Sequence, residues 1–324
     1  MNPLTAAYGA VTALRNKLFD GGVLPSRLLQ QPVVSVGNLS VGGAGKTPFV
    51  ITLGELLKAR SIRFDVLSRG YRRKSRGVLV VDPEGNATDF GDEPVLIARR
   101  LRVPVIVGES RYEAGRVAEQ QFQTQLHILD DGFQHRSLAR NFDIVLMTER
   151  DFDDRILPSG RLREPLSSLR RADAIVLPEH FSTPDKVIES LTLQGKLIWR
   201  VQRNIVLPTA PRSPVMFCGI AMPQQFFTEV RAAGISPAAE VEFRDHHGYD
   251  KSDIARLRAV QTKLNAGGFV TTEKDAVNLG PLQEELKPFT IARLSLTIDH
   301  ADQVVDTILA KTIFATIGDQ KLPS

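Results

Sequence analysis

Val33-Val-Ser-Val-Gly-Asn38-Leu-Ser-Val-Gly-Gly-Ala-Gly-Lys-Thr-Pro48 runs from a β-branched apolar stretch through a glycine-rich turn into a helical pattern. A turn of this kind between a strand and a helix directs backbone N–H groups at phosphate oxygens, and the helix N-terminus adds positive potential. Ser40, Val41, Gly42, Gly43, Ala44, Gly45, Lys46 and Thr47 are therefore the expected nucleotide contacts, with Lys46 on the β and γ phosphates and Thr47 on Mg²⁺. Ser40 stands where G-x-x-x-x-G-K-[ST] has its first glycine, but Gly42 and Gly43 keep the loop pliable. No G-x-G-x-x-G dinucleotide fingerprint is present, and the adjacent Lys-Thr points to a triphosphate with its metal.

Working outward from that loop, short β-rich runs alternate with helical stretches, the signature of a mostly parallel sheet covered by helices. Strands are expected at 32–36, 64–68, 103–107, 126–130, 143–147 and 174–177, with helices at 48–60, 93–102, 111–122 and 184–193. Several strands are nearly continuous apolar runs, as burial on both faces requires. Pro208, Pro211 and Pro214 then punctuate the chain before a second, smaller α/β unit. Its strands are expected at 215–218, 240–243 and 269–272, with helices at 224–233 and 252–264. The segments 197–202 and 289–297 alternate and are expected to pair as a β-ribbon joining the two units. The fold class is thus α/β and P-loop NTPase-like. Residues 31–204 are expected to form the domain that carries the phosphate loop, 205–300 the second domain, and 301–324 a C-terminal helix (301–314) and tail.

Residues 1–30 form a separate N-terminal element. Leu4, Tyr8, Val11, Leu14 and Leu18 fall at helical spacing with Arg15 and Lys17 off the stripe, so this amphipathic helix either lies on a membrane surface or packs on the body.

The chain of 324 residues is 42% hydrophobic and 24% charged, the proportions of a globular protein. Its one cysteine, Cys218, excludes an intrachain disulfide and a four-cysteine zinc site. There is no apolar run of about 18 residues, and Arg15 and Lys17 interrupt the stretch a secretory signal would need. Net charge is only +4, but Arg60, Arg63, Arg69, Arg72, Arg73, Lys74 and Arg76 concentrate positive charge in one segment suited to an anionic partner or to solvation.

The strand Leu126-His-Ile-Leu-Asp130-Asp131 has an apolar body and an acidic tip, which in a parallel sheet opens onto the ligand crevice. One of Asp130 and Asp131 is expected to hold Mg²⁺, unless both serve a turn. Asp92 in Gly91-Asp-Glu-Pro94 opens a helix, where it can cap and can also accept the proton of an attacking hydroxyl. In Asp245-His246-His247-Gly248-Tyr249, adjacent histidines on an extended strand would face opposite ways, so a lone catalytic histidine beside a carboxylate fits better than a shared metal. In Gly160-Arg161-Leu-Arg163-Glu164-Pro165, Arg163 can neutralise phosphate and Glu164 can approach Mg²⁺.

Asn38 to Pro48, Ser68-Arg-Gly-Tyr71, Gly91 to Pro94, Asp130-Asp-Gly-Phe-Gln-His135, Gly160 to Pro165, Asp245-His246 with Tyr249, and Thr272-Glu-Lys-Asp275 together resemble the tetraacyldisaccharide 4'-kinases, in that family's order. Ser40 is also how the family's loop reads. The resemblance implies two α/β units around a cleft, with ATP and Mg²⁺ on the first. It implies as acceptor a tetraacylated glucosamine disaccharide 1-phosphate, phosphorylated at the 4' hydroxyl on the cytoplasmic face of the inner membrane. Carried over by residue, Asp92 is the catalytic base candidate and His246 its partner, and Asp131 is a further catalytic candidate that shares with Asp130 the open assignment of the direct metal contact. Thr47, Asp130 and Glu164 are the metal residues, and Arg69, Arg111 and Arg163 lie near phosphates. With Asp92 and His246 on different units, closure of the cleft is expected to assemble the pair. The protein is expected to be a monomer without a nucleic-acid partner. The competing readings are a P-loop ATPase acting on nucleic acid, motivated by the basic segment, and a nucleotide-dependent switch without acceptor chemistry.

Overall fold

A computed structural model describes residues 3–181 and 185–314. Met1, Asn2, the start of the helix expected at 184 and the tail 315–324 lie outside them. The strands are β1 (Val33–Asn38), β2 (Phe64–Ser68), β3 (Leu79–Val80), β4 (Val105–Val107), β5 (Leu126–Asp130), β6 (Phe142–Leu146), β7 (Ala174–Pro178), β8 (Leu197–Val206), β9 (Val215–Cys218), β10 (Ala239–Glu242), β11 (Phe269–Thr272) and β12 (Phe289–Ile298). They hydrogen-bond in the order β10-β9-β11-β12-β8-β7-β6-β1-β5-β2-β4-β3.

Both faces of the first unit are covered, which explains its unbroken apolar runs. Alternate residues go to opposite cores: Val34, Val66, Ile128 and Ile144 to one, Val33, Leu67 and Leu129 to a second, Val145 and Ile175 to a third. The helices Lys46–Ala59, Asp92–Leu101 and Ala301–Lys311 close the first of these cores. The C-terminal helix, three residues shorter than expected, thus buries Val304, Ile308 and Leu309 against the nucleotide-binding unit, and Arg60 fastens it through Asp302 and Asp306. The two-residue β3, antiparallel to β4, is too short to register as an alternating pattern.

β1 lies between β5 and β6, parallel to both. Val36 is level with Asp130, so the phosphate loop leaves the sheet beside the acidic tip of β5. A ribbon forms between the two expected segments but is displaced along β8: residues 197–200 pair with β7 instead, and the pairing with β12 begins at Val201. Val201–Val206 of β8 pairs antiparallel with Arg293–Ile298 of β12, while Phe289–Ala292 of β12 pairs parallel with β11. A single pair of strands therefore runs from one unit into the other, which turns the loop after β9 and the start of the helix Glu273–Leu279 toward the phosphate loop.

The N-terminal helix, Pro3–Asp20, docks through its polar side. Thr5 meets Ser159, the Tyr8 hydroxyl donates to the Arg163 carbonyl, and Asn16 Nδ2 donates to Glu164. Of its apolar stripe, Leu4, Val11 and Leu14 are turned outward, 67%, 68% and 58% exposed, while Tyr8 and Leu18 are half-buried. No helix among the described residues is long and apolar enough to cross a membrane.

Candidate active site

The phosphate loop takes its shape from two left-handed positions, Gly42 (φ 112°) and Gly45 (φ 81°), where a side chain would be strained. Ser40 is not at a positive φ. Instead it is buried and bridges Leu162, while Val41 N–H donates to the Arg161 carbonyl, so the missing glycine costs the turn nothing. Gly43 lies under the second unit, where an added Cβ would meet Ala221 and Met222 at 3.5 and 3.6 Å. The helix Lys46–Ala59 begins directly after Gly45 and brings Thr47 into the floor.

Lys46 Nζ donates to Asn38 Oδ1 at 3.0 Å and lies 3.4 Å from Asp131. Arg163 donates to both oxygens of Asp131 at 3.1 to 3.2 Å and to Gln134. Burial raises the Asp131 carboxyl, but Lys46 and Arg163 outweigh it and hold it below the usual range. Asp130 is its opposite. Burial first, then Glu93 and Asp131, push its pKa up to about 7. Ser68 Oγ donates to one oxygen at 3.1 Å, and the other is buried without a partner. A buried carboxylate with an orphaned oxygen beside a loop threonine fits a divalent cation. The described residues contain no cluster of three His, Cys, Asp or Glu suited to holding a metal by themselves. Thr47 and Asp130 would therefore need phosphate and water oxygens to complete a magnesium shell.

Glu164 is not brought to this floor. Its carboxylate is buried away from the loop, accepting from Asn16 Nδ2 at 2.7 Å and Arg171 at 2.9 Å. Successive side chains of the 163–164 turn diverge: Arg163 reaches the phosphate loop and Glu164 anchors the N-terminal helix. Arg111 is also set back. It is buried, donates to the carbonyls of Gly108 and Glu109, and is lowered to about 10 by burial and by Arg69. Arg69 lines the cavity itself. The rest of the basic segment is largely spent internally. Arg60 holds the C-terminal helix, Arg63 the Gln123 carbonyl, Arg73 the Gly77 carbonyl and Glu109, and Arg72 the carbonyls of Asp245 and His246.

Asp92 and His246 meet across the cleft. His246 Nδ1 lies 2.8 Å from Asp92 Oδ2. Asp92 is the first helical residue after Gly91 and also accepts from Glu93 N–H and from Asn278 Nδ2 at 3.0 Å. Burial opposes its charge, yet His246 and Lys274 prevail and its pKa falls to about 2. The two histidines do part company, but for a different reason than strand alternation. Residues 245–246 form a turn past β10 with His246 at φ 55°, and His247 turns away to Asp253 at 2.7 Å.

Thr272-Glu-Lys-Asp275 divides its labour. Asp275 is structural, accepting from Gly219 N–H and the Tyr249 hydroxyl, both at 2.8 Å. Lys274 points the other way, into the pair, with Nζ 3.1 Å from His246 Nε2. Lys274 and Asn278 carried no role in the sequence reading. Their spacing of four on one short helix, which puts both side chains over the same spot, was the available signal.

A cavity of about 540 Å³ is lined by the loop, Asp130 and Asp131 from the first unit and by His246, Met222, Phe226 and Leu294 from the later part of the chain.

A family profile described as tetraacyldisaccharide-1-P 4'-kinase matches residues 1–313. The tetraacyldisaccharide 4'-kinase of Koribacter versatilis is 49% identical over 319 residues, spanning 95% of this chain and 98% of its own length. The Aquifex aeolicus enzyme of the same name is 40% identical over 294 residues, covering 86% and 88%. A solved structure of LpxK from Aquifex aeolicus in complex with ATP matches with a TM-score of 0.77 at 33% identity, over 95% of this chain and 97% of that one.

Proposed function

This chain belongs to the tetraacyldisaccharide-1-P 4'-kinase family, and on that premise we propose how its residues transfer the γ-phosphate of ATP to the 4' hydroxyl of a tetraacylated glucosamine disaccharide 1-phosphate in lipid A biosynthesis. The observation that carries the assignment of residues is that Lys46, Thr47, Asp130, Asp131 and His246 face one cavity. Bound Mg²⁺ would draw charge from the β and γ phosphates, with Thr47 and Asp130 as its protein ligands.

Residues 40–47 wrap the phosphates. Lys46, released from Asn38 and Asp131 when the triphosphate arrives, takes up charge on the γ group, and Arg163 does the same from the opposite side. Asp131 keeps both cations in place until then. The Asp92–His246 pair removes the acceptor's proton as the oxygen attacks in line. Asp92 has its lone pairs occupied and its pKa depressed, so it orients and charges the imidazole.

Residues 31–204 are assigned as the nucleotide-binding domain and 205–300 as the domain that closes the cleft and supplies His246. The helix Ala301–Lys311 braces the first. The protein acts as a monomer, peripherally on the cytoplasmic face of the inner membrane. Residues 1–30 supply the membrane contact, because a helix that docks by Thr5, Tyr8 and Asn16 while exposing Leu4, Val11 and Leu14 leaves an apolar face for lipid. The internal use of most of the 60–76 arginines removes the motive for a nucleic-acid partner.

The test is acceptor identity. Purified protein with magnesium and ATP should add one phosphate, by mass, to a detergent-dispersed acylated disaccharide 1-phosphate and none to its 4'-deoxy analogue. Equal phosphorylation of both would refute the assigned position.

A further inference from the structure

Lys274 is a cation in direct contact with the Asp92–His246 pair that the reaction as described leaves unused. Its ammonium is held by four groups from two other elements: His246 Nε2 at 3.1 Å, Asp245 Oδ1 at 3.3 Å, Glu93 Oε1 at 3.4 Å and Asp92 Oδ2 at 4.0 Å. Two of these belong to the first unit and two to the turn after β10, while Lys274 itself follows β11. The contact with Nε2 is chemically informative. An ammonium carries three donors and no acceptor, so it can approach a ring nitrogen at this distance only where that nitrogen offers a lone pair. A proton on Nε2 would set two cationic or donor groups head to head. The carboxylate of Asp92 can only accept, so the one ring proton lies on Nδ1, pointing at Asp92.

We propose that Lys274 is a positioning residue for phosphoryl transfer: its ammonium, anchored by Glu93 and Asp245, fixes the neutral Nδ1–H form of His246 and keeps the Nε2 lone pair as the site that takes the acceptor's proton. This rests on the kinase reading above and refines it by naming the atom. Of the basic atoms in the pair, Asp92 is already accepting from Glu93 N–H, Asn278 and His246. Nε2 has Lys274 at 3.1 Å and Asp245 Oδ2 at 3.8 Å, and Glu93 and Asp245 can retain the ammonium when the sugar hydroxyl takes its place at Nε2. In the step, the hydroxyl O–H bond breaks as Nε2–H forms, the oxygen bonds to the γ-phosphorus, and the bond from that phosphorus to the bridging oxygen breaks to release ADP. The imidazolium, now paired with Asp92, loses its proton to water in the next cycle.

The groups facing His246 are Asp92, Asp245, Lys274, the Tyr71 ring edge 5.1 Å away, and Arg72, which donates to the His246 carbonyl. The measurement is kcat and the KM for ATP at about pH 7 for wild type, Lys274→Met, Lys274→Gln and Lys274→Arg, with the melting temperature followed alongside. Gln fills the volume and still hydrogen-bonds Glu93 and Asp245 without charge, so one neutral variant serves if the other does not fold. In the neutral variants kcat should fall about tenfold or more, with the KM for ATP within about twofold. Arg should bring kcat back to within about threefold of wild type. A folded neutral variant whose kcat stays within about threefold of wild type overturns the inference while leaving the kinase reading intact. A wild-type protein that yields no phosphorylated lipid overturns both.

Discussion

Replacing Asp92 with Asn separates the chemical role of this carboxylate from its structural one. Asp92 is nearly fully buried, accepts from Glu93 N–H, Asn278 and His246, and lies 4.0 Å from the Lys274 ammonium. Its pKa falls from the usual 3.8 to about 2 because His246 and Lys274 outweigh the burial that opposes its charge. That shift corresponds to roughly 2 kcal/mol of folding free energy. A carboxyl lowered in the folded state contributes this above about pH 4 and loses it as pH falls toward 2. Asp92→Asn should therefore lower stability by roughly that amount at pH 7, a few degrees in melting temperature. The catalytic loss should be larger and of a different kind. Asn preserves the shape but not the charge that would stabilise an imidazolium, so kcat should fall by about 10²-fold or more. Nucleotide affinity should be almost unchanged, because Lys46 and Thr47 contact neither Asp92 nor His246. The assay pairs single-turnover transfer with a thermal melt and ATP·Mg²⁺ binding on the same preparation. A variant that melts lower yet turns over within about threefold of wild type would make Asp92 a clamp between the two units and remove it from the chemistry.

Other consequences are separable from this one. Asp130→Asn should weaken magnesium-dependent nucleotide binding by about tenfold or more while leaving metal-free binding nearly intact, measured by titration with and without Mg²⁺. Substituting Ser for Leu4, Val11 and Leu14 together should abolish co-sedimentation with anionic liposomes yet preserve turnover of a detergent-dispersed acceptor; unaltered sedimentation would retire this face as the membrane contact. At the other end of β5 from Asp130, His127 is buried between Asp65 and Glu119, 2.9 and 3.4 Å away. Burial works against its charge, but those carboxylates raise its pKa to about 9. A raised histidine stabilises fully below about pH 6.5 and loses that contribution as pH rises through 9. Melts between pH 6 and 10 should thus lose roughly 3 kcal/mol of stability, a loss that His127→Gln removes.

The fold was legible wherever burial on both faces wrote an unbroken apolar run, as in β2, β5, β9 and β11, which fall where the residue pattern placed them. The phosphate loop was legible because its glycines and its Lys-Thr pair have one chemical use in that setting. What escaped the sequence were matters of direction. Arg163 and Glu164 are neighbours of equal promise in the chain, and only the turn geometry sends one to the loop and the other to Asn16. The apolar stripe of the first helix was plain, but whether it faces the body or solvent depends on Thr5, Tyr8 and Asn16 finding partners more than 140 residues away. Assembly of the Asp92–His246 pair depends on how the β8–β12 ribbon aligns the two units, a pairing that alternation suggested but whose angle no local pattern records. Lys274 was hidden in a quoted motif because its three carboxylate partners come from positions 92–93 and 245.

The central claim is that the loop bearing Lys46 presents the terminal phosphate of ATP to a sugar hydroxyl. Incubation with γ-labelled ATP, magnesium and the acylated disaccharide 1-phosphate tests it most directly. Label should enter the lipid in step with ADP formation in wild type and in neither pool above background with Lys46→Met. ADP formed while all the label appears as free inorganic phosphate would contradict it.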